Sequence, residues 1–123
     1  MEFYKCNHCG NIVAYVNNSG VKVMCCGEAM QKITANTVEA SAEKHIPVVK
    51  KEGNKIVITV GSVAHPMEEN HHIEWIALET KAGNQRKILH YDQAPIAEFY
   101  IGPDDEVVRV YAYCNLHGLW AMQ

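Results

Sequence analysis

A chain of 123 residues has room for one ordinary domain, or for one small module beside a compact partner. Its 48% hydrophobic and 20% charged residues exclude a low-complexity or disordered chain, and no apolar run is long enough to span a bilayer. A formal charge of −3 argues against nucleic acid as a partner, because duplex binding draws on clustered Lys and Arg, yet a local basic spot can still steer a small anion. The start, Met1-Glu2-Phe3-Tyr4-Lys5-Cys6, lacks the features of a signal peptide, so a cytoplasmic location is expected. In a reducing compartment, five spaced cysteines read as metal ligands or catalytic thiols rather than as structural disulfides.

The opening segment carries four of those cysteines at two turn-like spots, Cys6-Asn7-His8-Cys9-Gly10 and Cys25-Cys26-Gly27. Between them, residues 12–16 and 21–23 read as short strands joined by Asn17-Asn18-Ser19-Gly20, which predicts a hairpin. A unit of that size buries little core and needs a staple, which a metal would supply. From about Thr37 onward the pattern becomes a series of β-rich runs: 46–49, 55–60 after Glu52-Gly53-Asn54, 72–80, 86–91 after Gly83-Asn84, 96–101, and 106–113 after Gly102-Pro103-Asp104-Asp105. This predicts a mainly β protein, a small metal-stapled module over 1–36 followed by an immunoglobulin-like, seven-stranded antiparallel sandwich over 37–123. The helical hints are confined to 39–43 and 67–70.

Cys6 and Cys9 form a C-x-x-C knuckle, and Cys25-Cys26 is an adjacent pair before a glycine. Four thiolates on two tight turns suit a tetrahedral iron or zinc site, and the residue types alone do not separate the two metals. Gly10 and Gly27 fit such turns because glycine allows the unusual dihedrals there. A nucleic-acid-binding ribbon is disfavoured by the module's few basic residues, and a thioredoxin-type redox motif by the lack of a βαβ pattern. His8, inside the knuckle, reads as a solvated filler. Two neighbouring cysteines must splay to reach one ion, and this adjacency with this hairpin resembles desulforedoxin, a small rubredoxin-like iron module. The resemblance moves the expected metal toward iron.

The fifth cysteine, Cys114, precedes His117 in Cys114-Asn115-Leu116-His117-Gly118-Leu119-Trp120. Two further clusters hold His45, then His65, His71 and His72. Each histidine alone is explained as a surface or hydrogen-bonded residue, and Trp75 and Trp120 as core packing. Taken together, three strand-end loops offer imidazoles beside a soft thiolate, and loops at one end of a sandwich can converge. Blue copper is the competing metal, but it uses two histidines and a nearby axial Met, and the nearest here is Met122.

Glu43-Lys44-His45-Ile46-Pro47, His65-Pro66-Met67 with His71, Ile73-Glu74-Trp75-Ile76 and the Cys114–Trp120 stretch together resemble desulfoferrodoxin, the two-iron class of superoxide reductase, along nearly the whole chain. The resemblance implies two non-haem iron ions per chain. One would be held by Cys6, Cys9, Cys25 and Cys26; the other, ferrous, by four equatorial imidazoles (His45, His65, His71, His117) and the axial thiolate of Cys114, with the sixth position open. It further implies one-electron reduction of superoxide to hydrogen peroxide, with Lys44 attracting the anion and positioning a proton-donating water. Glu43 would be the carboxylate that takes the sixth position of the ferric form. A rubredoxin-like electron donor and a homodimer are implied as well, and His72 and His90 receive no ligand role. The four-cysteine iron is either an electron relay or a structural staple, and a non-catalytic iron electron-transfer protein is the alternative function.

Overall fold

The computed structural model describes residues 1–122, which form two compact units, Met1–Thr34 and a second that begins at Ala35. In the first, β1 (Phe3–Lys5) sits between β2 (Ile12–Ala14) and β5 (Gln31–Ile33), both antiparallel to it. A two-stranded ribbon of β3 (Met24–Cys25) and β4 (Glu28–Ala29) carries the second pair of cysteines. Phe3, Cys6 and Met30 are its buried residues.

The expected hairpin between 12–16 and 21–23 does not form: β2 pairs with β1 instead, and residues 21–23 belong to no strand. The reason is burial. Val16 and Val21 are exposed and have nothing to pack against, whereas pairing with β1 sets the strand beside the buried Phe3 ring.

The second unit is a mainly β sandwich. One sheet orders β10 (Ile96–Tyr100), β7 (Lys55–Val60) and β6 (Pro47–Glu52); the other orders β12 (Gly118–Ala121), β11 (Val107–Cys114), β8 (Ile73–Thr80) and β9 (Asn84–Ile88). Every pairing is antiparallel. Strict alternation along β7 turns Ile56, Ile58 and Val60 inward, and β10 does the same with Ala97 and Phe99. Opposite them lie Ile76 and Leu78 of β8 and Val110, Ala112 and Cys114 of β11, closing one continuous apolar core.

Glu52 pairs with Lys55, so β6 and β7 are joined by Gly53-Asn54, and Gly53 takes the positive φ of 63° that such tight hairpins require. The helical expectation is met only by α1 (Ala42–His45), one turn shifted from 39–43, while 67–70 forms a turn closed by a bridge between Glu68 and His71. Strand β12 was not expected: four residues after a turn show no periodicity of their own, and they are strand because β11 offers them a partner. No helix of the described residues is long and apolar enough to cross a membrane.

Register decides what lies at one end of the sandwich. Pro47 pairs with Val60, and Cys114 pairs with Ile73 across a register shift after Tyr113. The start of β6, the end of β7, the start of β8 and the end of β11 therefore meet there. His45 precedes the first, His65 follows the second, His71 precedes the third and Cys114 ends the fourth.

Candidate metal centres

In the first unit Cys6, Cys9, Cys25 and Cys26 present their sulfurs as one group, all within 4.8 Å of one another. The two turns that bring them in use positive φ at Gly10 (82°), Gly27 (80°) and Cys26 (52°), which is how two adjacent cysteines splay toward one point. The Cys9 amide donates to Cys6 Sγ (3.4 Å) and the Asn11 side-chain amide to Cys25 Sγ (3.7 Å). The first of these pulls the Cys6 thiol down to about 6, while the neighbouring sulfurs, Cys9 first, push Cys26 up to about 12. Four thiolates thus cannot gather here without a cation to offset them. Cys9 and Cys25 Sγ are 3.6 Å apart. As one edge of a tetrahedron, that distance puts the centre about 2.2 Å (3.6/1.63) from each sulfur, close to a metal–thiolate bond of about 2.3 Å. His8 lies outside the group, paired with Glu28 at 3.1 Å on the surface.

In the second unit His45, His65, His71 and Cys114 form the other such group, again with one ligand atom each inside 4.8 Å. His117 stands beside it, its Nδ1 3.1 Å from His45 Nε2 and 3.9 Å from Cys114 Sγ. The four imidazoles stand in a ring: His45–His65, His65–His71, His71–His117 and His117–His45 centroids are 4.6, 4.8, 5.1 and 5.0 Å apart. Neighbouring planes cross at 74–87°, so each ring turns an edge to the middle.

The tautomers decide what that middle can hold. His45 Nδ1 lies 2.7 Å from the Ser41 carbonyl and His65 Nδ1 2.7 Å from the Pro66 carbonyl. A carbonyl only accepts, so both Nδ1 atoms carry the proton and both Nε2 atoms present lone pairs. Yet those two Nε2 atoms face each other at 3.1 Å. Two lone pairs at that range repel, and a cation between them turns the repulsion into attraction. Nitrogens 3.1 Å apart on adjacent corners of a square lie about 2.2 Å (3.1/√2) from its centre, near the metal–imidazole bond of about 2.0–2.1 Å. His71 Nε2 is buried with no hydrogen-bond partner among the described residues, the mark of a donor atom kept for something else.

Burial lowers the pKa of His45, His65 and His71, that of His65 to about 4, so these rings stay neutral and able to bind a cation. Burial also pushes the Cys114 thiol up, against the pull of the His117 and Leu116 backbone N–H groups directed at its sulfur. The donor set therefore fits a soft-to-borderline transition metal, and the fit does not depend on any one distance.

Lys44 and Glu43 sit on the exposed α1 turn that ends in His45. The Lys44 charge adds to the depression of His45 and His71, so its field reaches both rings. This turn is held from below. Val63 N–H and the Ser62 hydroxyl both donate to the Glu43 carbonyl (3.0 and 3.2 Å), and a Cβ on Gly61 would lie 2.5 Å from that same oxygen and 2.8 Å from the Lys44 carbonyl carbon. Only glycine lets the two backbones approach so closely. Gly61→Ala is expected to cost about 1–3 kcal/mol by overpacking, because backbone must move. Thermal unfolding measures it, and an unchanged midpoint would mean the turn yields freely.

His72 faces away from the cluster, its Nδ1 2.9 Å from the Glu68 carbonyl, and His90 pairs with Asp92 on the surface at 2.7 Å. Trp120 was expected to be core packing. It is buried, but it also stacks on His45 (4.8 Å, 27°) and donates from its indole N–H to the His117 carbonyl at 3.1 Å, bracing two of the histidines. Its place three residues after His117 in a hairpin was the only signal, and it needs β12 to be seen. Trp75 stacks on Tyr113 at 5.4 Å.

Residues 37–123 match the model of the desulfoferrodoxin family, and residues 1–33 that of the desulfoferrodoxin N-terminal domain. The desulfoferrodoxin of Nitratidesulfovibrio vulgaris is 50% identical over 119 residues, covering 97% of this chain and 93% of that one. A superoxide reductase of Pyrococcus horikoshii is 36% identical over 109 residues, covering 74% of this chain and 94% of that protein. The crystal structure of the superoxide reductase from Treponema pallidum superposes with a TM-score of 0.84 at 38% identity, covering 99% and 98% of the two chains. With both units matched in order and a cluster in each that could hold a metal ion, the chain belongs to the desulfoferrodoxin family.

Proposed function

We propose that the chain is a two-iron superoxide reductase of the cytoplasm. Residues 1–36 form the four-cysteine iron module, and residues 37–123 the catalytic domain. There His45, His65, His71, His117 and Cys114 would hold ferrous iron. The observation that carries this reading is the pair of imidazole lone pairs facing each other at 3.1 Å beside a buried thiol, in a chain of this family.

The reaction adds one electron and two protons to superoxide and yields hydrogen peroxide. Bound ferrous iron supplies that electron and a Lewis-acidic position for the anion. The protein's own groups do the rest. Neutral imidazoles leave the positive charge of the site largely intact, so an anion is drawn in. Lys44, exposed on the turn that ends in His45, would add a cation beside the cluster and orient a water that can donate a proton. The Cys114 sulfur, held by two backbone N–H groups, sets how much electron density the site can release. Glu43, on the same turn as Lys44, would supply a carboxylate able to ligate the ferric ion. Glu43→Gln is expected to alter the ferric visible spectrum, and an identical spectrum removes Glu43 from that role.

A rubredoxin-like protein is the proposed electron donor, and a homodimer the proposed assembly. The four-cysteine iron is proposed as a relay toward the second site; equal turnover with a reductase system after Cys9→Ala would reduce it to a staple. Metal analysis with stopped-flow superoxide tests the whole reading. The expected result is two irons per chain and oxidation of the reduced second iron at a rate approaching the diffusional ceiling of about 10⁸–10⁹ M⁻¹s⁻¹. A reduced protein that superoxide leaves unoxidised is an electron carrier, not a reductase.

A further inference from the structure

Three hydrogen bonds beside the second cluster, two of them to its side chain, converge on a residue that no ligand role uses. Asn115 follows Cys114 in the turn that leads to His117. Its Oδ1 accepts from the His72 N–H at 2.9 Å, its Nδ2 donates to the Asn70 carbonyl at 3.0 Å, and its own N–H donates to the His72 carbonyl at 3.2 Å. One amide therefore grips the chain on both sides of His71.

His71 is the ring that needs such a grip. His45 and His65 each have Nδ1 fixed by a backbone carbonyl 2.7 Å away, and that bond sets both tautomer and ring direction. No ring atom of His71 has a hydrogen-bond partner among the described residues, and its buried Nε2 faces the cluster bare. Its backbone is tied to Glu68 through bonds of 3.2 and 2.9 Å. An unbraced imidazole aims its nitrogen only as well as its own backbone is held.

We propose that Asn115 is the positioning residue of His71: the turn carrying Cys114 and His117 reaches across to Asn70 and His72 and so sets where the remaining imidazole points. The inference rests on the five-ligand reading of this site. An amide suits the task because it donates and accepts at once. Aspartate keeps the acceptor for His72 but has no donor for Asn70, and alanine has neither.

The test uses the full chain with both sites loaded with iron, comparing Asn115→Ala, Asn115→Asp and His71→Ala. Transfer of the second-site iron to a chelator gives affinity, and the ferric electron paramagnetic resonance spectrum gives equatorial symmetry. The four-cysteine iron serves as internal control. Asn115→Ala is expected to weaken the second site by roughly 10–100-fold and to change the rhombicity of its ferric signal. Asn115→Asp should fall between it and the parent. If Asn115→Ala does not accumulate folded, the Asp variant decides by the same two readouts. Affinity within about twofold of the parent together with an unchanged signal overturns the proposal. If His71→Ala itself leaves iron affinity unaltered, the ligand reading has failed instead, and with it this one.

Discussion

Cys114→Ser is expected to abolish the thiolate-to-iron charge-transfer band of the oxidised protein while leaving the four-cysteine chromophore in place. The Cys114 side chain is fully buried at the end of β11, inside the core cluster, and no other sulfur lies in the second group. A serine hydroxyl is nearly isosteric there but does not ionise near neutral pH, so the site would exchange an anionic, polarisable donor for a neutral, hard one. The Leu116 and His117 N–H groups now directed at sulfur would face a smaller atom. Loss of a direct ligand should exceed the roughly 10–100-fold penalty typical of second-shell changes, so iron content at the second site is expected to fall as well. Iron content and the visible spectrum read both effects. An unaltered band would show that Cys114 is not a ligand of that iron.

Lys44→Ala is expected to slow oxidation of the reduced protein by superoxide by about tenfold or more at low ionic strength, with both irons retained. The side chain is exposed on the α1 turn, so it braces no core and its removal should leave folding intact. Its charge nevertheless reaches His45 and His71, the two rings whose titration it helps to depress. A charge at that place attracts a small anion through water, and salt weakens the attraction once the Debye length, about 10 Å at 0.1 M, falls below the approach distance. Parent and variant rates should therefore converge as salt is added, and Lys44→Arg should keep most of the parent rate. Equal rates for parent and Ala variant at low salt remove Lys44 from the anion's path. Gly61→Ala bears on the same turn, since it disturbs the backbone on which Lys44 stands without touching its charge.

Much of the fold was legible because it depends on near neighbours. The β-rich runs 55–60 and 96–101, set off by turn residues, are strands β7 and β10, and their Ile56, Ile58, Val60, Ala97 and Phe99 face the core. Gly53-Asn54 marked a turn, and it is one. The failures share a cause. The 12–16/21–23 hairpin had good turn residues but no apolar face to cover, and β1 competed successfully for β2. Strand β12 pairs with the neighbouring β11 but has no periodicity of its own, and the contacts of Trp120 with His45 and of Asn115 with Asn70 span more than forty positions, which no local window contains.

For the metal clusters the division is sharper. Donor type is a property of single residues, so the sequence by itself determined which atoms could bind a metal: four sulfurs on two knuckles near the start, and imidazoles with one thiol at later strand ends. Whether those donors meet is a property of register. Only the pairing of Pro47 with Val60 and of Cys114 with Ile73 brings the four chain segments to one end of the sandwich. Only the carbonyls of Ser41 and Pro66, placed by that packing, turn the Nε2 lone pairs of His45 and His65 toward one another. A slip of one residue in either ladder would send those side chains to the opposite face, with the same residues in the same order and no site.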